Sequence, residues 1–271
     1  MKKKTLDIIT YFVLTLFSLG ILLPILWIFR TSLAPRLISY KIPPDWLFTP
    51  TFSNYLDLAE MYEFLKYLSN SFFIAGSATL IIIPLASLAA YSFIRFRTGG
   101  ESLRWAILGT QMLPSIVLAL PLFVIFKYLN LIDRHLGLTL VYTSFNLPLA
   151  IWILMGFFED IPVELEEAAL IDGASPLQTF ARIVFPLGAP GIMATGILNF
   201  ILCWNEFLFA LILTGDKSGT VPVILAAMQT ERGVMWGVLA SGTILAIAPM
   251  VLISFFVRKY LVRGLTFGAL K

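Results

Sequence analysis

Acidic side chains are concentrated in residues 159–187, a polar stretch that lies between two long apolar runs. They are Glu159, Asp160, Glu164, Glu166, Glu167 and Asp172. Arg182 is the only basic residue of this stretch. Carboxylates form strong hydrogen bonds with Arg or Lys, whereas a surface of this charge is a poor ligand for anionic lipid. We call residues 159–187 the signature loop and predict that it docks onto a basic protein surface.

The signature loop should fold as two short helices joined by a sharp turn. Asp160 is a good N-cap, and Pro162 fits the first turn of a helix. Gly173 can adopt the left-handed conformation that commonly ends a helix. Ser175-Pro176 then predicts a second helix start, and we expect that helix to end before Pro186.

Small and acidic residues make up one side of the first helix. By three- and four-residue spacing, this side contains Leu165, Ala168, Ala169 and Asp172. The two alanines let another surface approach closely, and Glu166 and Glu167 beside them supply charges for a partner's Arg or Lys. The alternative is an amphipathic connector that lies on the bilayer, and the excess of acids argues against it.

Polar side chains inside the apolar runs are a second set of candidates. They are Asn146, Asn199, Asn205 and Glu206. Glu206 is the one formal charge inside such a run, and ionisable residues at membrane depth are functional candidates. Asn199, Cys203 and Glu206 share one helical face. Two interpretations stay open: these groups line a path for a polar solute, or they hydrogen-bond between helices.

The elements that position these residues are apolar runs long enough to cross a membrane. The chain has 271 residues, of which 59% are hydrophobic and 13% charged, and its mean hydropathy is +0.90. Uncharged or singly charged runs occupy residues 8–29, 71–94, 105–126, 136–158, 188–213 and 238–257. Each can span a hydrocarbon core of ~30 Å, and only helices satisfy their own backbone groups there. We predict an all-α membrane protein with six transmembrane helices.

The distribution of basic residues predicts the orientation. The first apolar run is too long for a cleaved signal peptide, so we expect an uncleaved span and a cytoplasmic N-terminus. An even number of spans places the C-terminus and the signature loop in the cytoplasm as well. The basic tails and the loop with Arg95, Arg97 and Arg104 then lie inside, as the positive-inside rule requires.

Three segments are expected along the chain. Residues 1–70 hold the first span and an extracytoplasmic connection, residues 71–260 hold the remaining spans, and residues 261–271 form a cytoplasmic tail. The external connections fall at about residues 31–70 and 214–237 on this topology.

Several chemistries are excluded by composition. His135 is the only histidine, which excludes a histidine-clustered metal site and a Ser-His triad, so we expect neither metal nor cofactor. Residues 215–218 read Gly-Asp-Lys-Ser, but Leu211 and Asp216 occupy the two positions where a phosphate-binding loop has glycine, so the chain should not bind ATP. The net charge of +3 reflects membrane orientation, and no basic soluble face exists for nucleic acid.

The signature loop resembles a known motif. Glu167-Ala168-Ala169, Gly173 and Ile183-Val184-Phe185-Pro186 have the spacing of the loop that marks permease subunits of ABC importers, with Phe185 in place of the usual Leu. Trp204-Asn205-Glu206-Phe207 is similar to a motif of carbohydrate-uptake permeases. The ending Arg263–Lys271 is similar to that of their maltose-type second subunit.

The resemblance implies a type I ABC importer fold and a role for each region. Glu167 would pair with a basic group of a cytoplasmic ABC ATPase dimer, Ala168 and Ala169 would make the close contact, and Gly173 would form the turn. The implied coupling set is Glu166, Glu167, Ala168, Ala169, Asp172, Gly173 and Pro186. The implied ATPase-contacting tail residues are Thr266, Phe267, Gly268 and Lys271.

The same resemblance implies the partners. A second permease subunit, an extracytoplasmic solute-binding protein and a sugar substrate are expected. The complex should lie in the lipid bilayer of a prokaryotic plasma (inner) membrane. Alternatives remain: a permease for glycerol-phosphate or another non-sugar solute, a non-transporting scaffold that docks an ATPase, and a membrane-embedded enzyme. The enzyme would need converging titratable groups, and only Glu206 lies inside a run. Measurable solute flux separates the permease from the scaffold.

Overall fold

The structure is a computed structural model that describes the backbone of residues 2–230 and 233–267 and the side chains of residues 7–229 and 233–255. It is built almost entirely of helices. They are α1 (Lys2–Ser32), α2 (Arg36–Ser39), α3 (Ser53–Tyr62), α4 (Phe64–Arg95), α5 (Gly100–Gly109), α6 (Ser115–Tyr128), α7 (His135–Glu159), α8 (Val163–Ile171), α9 (Pro176–Thr179), α10 (Phe185–Leu187), α11 (Ala189–Asn205), α12 (Leu208–Leu213), α13 (Val221–Ala227) and α14 (Trp236–Phe267). A 3-10 turn, Thr110–Met112, follows α5, and a π-helical turn, Phe180–Val184, joins α9 to α10.

Four helices of the described chain are long and apolar enough to cross a membrane, and two bent helix pairs raise that number to six if each pair is one span. The four are α1, α4, α7 and α14, which match the first, second, fourth and sixth predicted runs. Proline lies inside each of them, at Pro24, Pro84, Pro148 and Pro249, without ending the helix. Neighbouring groups in a bundle can repair the lost hydrogen bonds.

The third predicted run is not one straight helix. The chain bends by 91° between Gly100–Met112 and Ser115–Tyr128. Leu113 is extended, with φ −73° and ψ 122°, because the ring of Pro114 disfavours the helical conformation of the residue before it. The predicted span over 105–126 is therefore broken at this proline.

The fifth predicted run, 188–213, is also interrupted. Helix α11 ends at Asn205, Glu206 is extended with ψ 130°, and α12 begins at Leu208. A second bend, of 77°, lies at Gly188, where the helical segment Pro176–Leu187 meets α11. Glu206 is thus between two helices rather than inside one.

The chain divides into two compact units, which we describe separately. The smaller contains residues up to Lys66 together with Ile224–Pro249. In it the amide of Asn54 donates to the carbonyls of Ser32 (2.8 Å) and Ala34 (2.9 Å). Short strands β1 (Gln229–Thr230) and β2 (Gly233–Val234) pair antiparallel, and the Tyr40 hydroxyl donates to the Val234 carbonyl.

The larger unit contains Tyr67–Val223 together with Met250–Lys271, and its described part holds the main apolar core. Helix α7 packs against α11, and α12 packs against α6 and α7. Ala78, Ala86 and Ala90 of α4 are fully buried in this core. Small residues at such positions let helix backbones approach closely, which is the main source of packing energy between helices in a membrane.

Candidate functional site

The first helix of the signature loop is α8, and its end is defined by backbone hydrogen bonds. Gly173 has φ +86°, and its N–H donates to the Leu170 carbonyl at 3.1 Å. The N–H of Ala174 donates to the Ala169 carbonyl at 3.0 Å. These two bonds form a Schellman motif, in which glycine is strongly favoured. The predicted helix end at Gly173 is confirmed.

The start of α8 differs from the prediction. Asp160 is the C-cap of α7, and Pro162 is the N-cap of α8 without a side-chain bond. The expected N-cap at Asp160 was therefore wrong. Proline at the N-cap fixes φ at the start of the helix, and it has no N–H that needs a hydrogen-bond partner.

The second helix of the loop starts as predicted and ends later. Ser175 and Gln178 form a capping box: the Gln178 N–H donates to Ser175 Oγ at 3.3 Å, and the Ser175 N–H donates to Gln178 Oε1 at 2.9 Å. Helical structure then continues to Leu187. The expectation that it would end before Pro186 was wrong, because Pro186 occupies the first turn of α10, where a missing N–H is tolerated.

The signature loop exposes both charge and apolar surface. Glu167, Ala168, Asp172, Gly173 and Pro186 are exposed, and Ala169 is half-buried. Next to them lie the exposed apolar side chains of Leu165, Leu170, Ile171 and Leu177. A concavity of about 410 Å³ runs along this surface, lined in part by Ala169, Asp172, Gln178 and Arg182. Apolar surface that adjoins carboxylates and is left open by the chain is typical of a docking site.

Glu166 is the exception in this loop. Its carboxylate is buried, and Oε1 accepts from Arg95 Nε at 2.7 Å. Arg95 also donates from its second terminal nitrogen to the carbonyls of Phe158 (3.2 Å) and Ile161 (2.9 Å). The sequence pattern grouped Glu166 with the residues that face a partner, whereas the structure turns it inward. Arg95 was missed, since 71 residues separate it from Glu166 and no motif links them.

The polar residues of the apolar runs are placed in three environments. Asn199 is fully buried and donates to the Thr195 carbonyl, and its Oδ1 has no partner among the described atoms. Asn146 is half-buried and donates to the Tyr142 carbonyl (2.9 Å) and to Cys203 Sγ (3.5 Å). Asn205 is exposed and donates to the Ile201 carbonyl of its own helix. The structure thus brings Asn146 and Cys203 together.

Glu206 bonds to the backbone of the helix that follows it. Its Oε1 accepts from the Phe209 N–H at 2.8 Å and its Oε2 from the Ala210 N–H at 3.1 Å. The first N–H groups of a helix have no partner within the helix, and a carboxylate there also matches the positive end of the helix dipole. Glu206 therefore caps α12, a structural role that the sequence alone did not indicate.

A second cluster lies at the other end of α7. The Asp133 carboxylate accepts from the backbone N–H groups of Gly215 (2.8 Å), Lys217 (3.2 Å) and Ser218 (2.9 Å), and from the Ser218 hydroxyl (3.0 Å). Partial burial opposes ionisation of Asp133, but these hydrogen bonds outweigh it and lower its pKa. The predicted turn at residues 215–218 is confirmed, and this carboxylate fixes its shape.

The same turn is bound to the start of α4. The Asn70 amide donates to the carbonyls of Lys217 and Gly219, both at 3.0 Å. His135 Nε2 lies 2.7 Å from Asn70 Oδ1. The single histidine of the chain is therefore part of a hydrogen-bonded cluster of loop and helix ends.

The predicted tail falls at the edge of the described chain. Helix α14 continues to Phe267, so Thr266 and Phe267 are helical. Gly268 and Lys271 lie outside the described residues.

Comparison with known proteins places this geometry in a family. Residues 82–267 match the sequence family described as the inner membrane component of binding-protein-dependent transport systems. The chain belongs to this family. Its members are permease subunits of transporters rather than catalytic enzymes. The predicted membership among ABC importer permeases is confirmed.

Named relatives agree with the family. The permease is 40% identical over 258 residues to the trehalose transport system permease protein SugB of Mycobacterium tuberculosis, which covers 92% of each chain. It is 36% identical over 261 residues to the trehalose/maltose transport system permease protein MalG of Thermococcus litoralis, which covers 92% of this chain and 91% of that one.

A solved structure has the same fold. A bacterial ABC transporter involved in import of the acidic polysaccharide alginate contains a chain that matches with a TM-score of 0.72 and 24% identity, over 96% of this chain and 98% of that one. The predicted fold class, an all-α type I ABC importer permease, is confirmed.

Proposed function

We propose that this permease imports an oligosaccharide or a related sugar, delivered by an extracytoplasmic binding protein and driven by separate ABC ATPases. The signature loop is the observation that carries the proposal. It presents an exposed carboxylate, Glu167, and a small residue, Ala168, on a short helix closed by the Schellman motif at Gly173. Its relatives SugB and MalG, named for trehalose and maltose transport, support the sugar class.

The signature loop acts as the contact through which ATPase movement reaches the spans. Glu167 pairs with a basic group of the ATPase, and Ala168 and Ala169 let the two surfaces meet closely. Asp172, Gly173 and Pro186 belong to the same contact surface. Because α8 is capped at its end, it transmits closure of the ATPase dimer as a rigid-body movement. ATP then shifts the permease between inward-open and outward-open states, since the ATPase contacts differ in the two states.

The assembly follows from the number of loops. One chain offers one signature loop, whereas an ATPase dimer has two surfaces to fill, so a second permease subunit is required, preferably a different one. Both termini and the signature loop face the cytoplasm, and residues 261–271, with Thr266, Phe267, Gly268 and Lys271, approach the ATPase dimer. The binding protein docks on the connections at residues 31–70 and 214–237. ATP is bound and hydrolysed by the partner subunits.

The translocation path is lined in part by the polar residues of α7 and α11. Asn205 is best placed to meet a solute, because its side chain is exposed. Asn146 and Asn199 contribute amide groups from deeper positions, and Glu206 shapes the path by holding the break between α11 and α12. Amides both donate and accept hydrogen bonds, as sugar hydroxyls require.

Purification of the native complex, followed by ATP hydrolysis measured against a panel of sugars, tests this function. We expect an ATPase, a second permease and a binding protein to co-purify, and one sugar with its binding protein to stimulate hydrolysis. The control is the same complex without the binding protein. Stimulation by glycerol-phosphate alone would assign the non-sugar class. An ATPase that responds to no solute, in a complex without solute flux, would establish the scaffold and contradict the proposal.

A further inference from the structure

One ion pair in the larger unit differs from the other ion pairs of the described chain. Lys41–Asp45, Lys66–Glu63 and Arg104–Glu101 join residues three or four positions apart and are largely exposed on at least one side. Arg95–Glu166 joins two side chains that are 16% and 5% exposed and are distant in sequence. Exposed pairs contribute little to stability, whereas a buried pair strongly constrains geometry because each charge needs the other.

Arg95 binds three elements at once. It is the last residue of α4, and it contacts Glu166 in α8 through Nε. Its other hydrogen bonds go to the carbonyls of Phe158, in the last turn of α7, and Ile161, in the connection to α8. The side chain of Tyr91, one turn earlier in α4, also interacts with Glu166. Phe158 lies at the C-terminal end of α7, where a cation is also favoured by the helix dipole.

A neighbouring side of α8, at Leu165, borders a cavity. This apolar cavity of about 300 Å³ separates α8 from the start of α11, and the cavity is lined in part by Phe157, Leu165, Leu187 and Pro190. The chain bends by 77° at Gly188, beside this cavity. Helix α8 is therefore fixed to α4 and α7 by polar bonds and packs on α9 and the π-helical turn, whereas apolar groups and empty space face it from the start of α11. Such a cavity can change volume without breaking a hydrogen bond.

We propose that Arg95 is a positioning residue for energy coupling. It locks α8 onto the ends of α4 and α7, so that these three elements move as one body when the ATPase closes, and the adjustment occurs across the cavity at Gly188. This inference rests on the proposed function, because it takes α8 to be the element that the ATPase moves. Arg95 does not touch the ATPase in this scheme, and its effect passes entirely through Glu166 and the carbonyls of α7.

The first test replaces the charges of the pair. Arg95→Gln should reduce solute-stimulated ATP hydrolysis about tenfold, a typical coupling effect, while basal hydrolysis and co-purification of the ATPase stay at the wild-type level. The exchange variant R95E/E166R restores the ion pair but not the hydrogen bonds to the carbonyls of Phe158 and Ile161. It should therefore regain part of the stimulation, which a residue needed only for stability would not explain. The matched control is Arg97→Gln, which removes an exposed arginine two residues away and should leave stimulation unchanged. Full stimulation in Arg95→Gln would overturn the proposal.

The second test keeps Arg95 and remains informative if the variants fail to fold. Spin labels at Glu164→Cys and Arg97→Cys report the distance between α8 and the end of α4, and labels at Glu164→Cys and Met193→Cys report that between α8 and α11. Cys203 is buried and should not be labelled. On addition of ATP we expect the first distance to stay fixed and the second to change. Equal changes in both would refute the rigid unit.

These tests separate the inference from the function on which it rests. A wild-type complex whose hydrolysis responds to no solute contradicts the proposed function. A wild-type complex that responds normally, together with an Arg95→Gln complex that responds equally well, contradicts only the role of Arg95.

Discussion

The two ends of α7 differ in whether their carboxylates find hydrogen-bond partners within the chain. At the His135 end, Asp133 receives four hydrogen bonds from the turn at residues 215–218, so its charge is satisfied within the chain. At the Glu159 end, the signature loop satisfies its backbone with a Schellman motif and a capping box and leaves Glu167 and Asp172 exposed. The chain satisfies the charge at one end by itself and leaves carboxylates exposed at the other, where we propose that the ATPase binds.

This difference separates residues that hold the fold from residues available for binding. A carboxylate that accepts several N–H groups is costly to remove, because every donor loses its partner. An exposed carboxylate contributes little to the stability of the isolated chain, and its removal is felt only in the complex. Changes at the two ends should therefore appear in different measurements.

The largest effect is expected at Asp133. Asp133→Ala removes the acceptor of four hydrogen bonds and should lower the free energy of unfolding by roughly 3 kcal/mol. Thermal unfolding in detergent measures the loss. Asp216→Ala, which removes an exposed carboxylate from the same turn, is the control and should change stability little. Equal stability of the two variants would show that the Asp133 cluster does not hold this end of α7.

The effect of Asp133 should depend on pH. Its pKa is lowered in the folded chain, so its contribution is fully present above the unfolded pKa of about 3.9. That contribution is lost as the pH falls through the lower folded pKa, because the protonated acid no longer accepts all of the bonds. The difference in stability between wild type and Asp133→Ala should therefore shrink below about pH 4. A constant difference across that range would be incompatible with a charged Asp133.

At the Glu159 end of α7, Glu167→Arg should leave the isolated permease as stable as wild type and lower its affinity for the ATPase. Reversal of a charge that pairs across an interface costs roughly 2 kcal/mol, or about thirtyfold in affinity. Retention of the ATPase on the immobilised permease measures this. The control is Glu164, which is also exposed and lies one helical turn earlier. Glu164→Arg should weaken retention of the ATPase much less. If both reversals weaken retention equally, the general charge of the loop matters and not Glu167.

Gly173 tests the rigid end of α8. Gly173→Ala has room for its methyl group, but φ +86° is unfavourable for alanine, and we expect a loss of about 1–2 kcal/mol. Gly156→Ala also meets open space, in the helical interior of α7, and should instead gain stability because alanine favours helix. Thermal unfolding distinguishes the two directions. A stabilising Gly173→Ala would mean that the left-handed turn is not maintained in the protein.

The smallest effect is expected at Ser175. Ser175→Ala removes one side of the capping box and should cost about 0.5–1 kcal/mol, with a matching small fall in thermal stability. Ser144→Ala, an exposed serine inside α7, is the control and should be neutral. If Ser175→Ala lowered the free energy of unfolding as much as Asp133→Ala, the two ends of α7 would not differ in their contribution to stability.

Features set by local chemistry were predictable from the sequence. Apolar runs predicted α1, α4, α7 and α14. The left-handed conformation open to Gly173 predicted the end of α8, and Ser175 before a proline predicted the start of α9. The pattern around Glu167 also indicated the family. In each case the residues that interact are only a few positions apart, so the interaction can be predicted from the sequence.

Features set by distant contacts were not predictable. Arg95 meets Glu166, and Asp133 meets the turn at residues 215–218, only after the helices have packed. The break at Glu206 was missed for a related reason. A lone carboxylate in an apolar run has the same sequence signature whether it faces a solute or caps a helix, and only the extended backbone at Glu206 decides between the two.

The break at Glu206 also has a consequence for biogenesis. Helix α11 has 17 residues and α12 has six, whereas a helix needs about 20 apolar residues to cross a bilayer. Neither piece is long enough to partition securely into lipid as an independent segment during synthesis. Contacts such as that between Phe72 and Trp204, whose ring centroids lie 5.4 Å apart, are available only once α4 is already in the membrane. This part of the chain should therefore integrate late and depend on helices made before it.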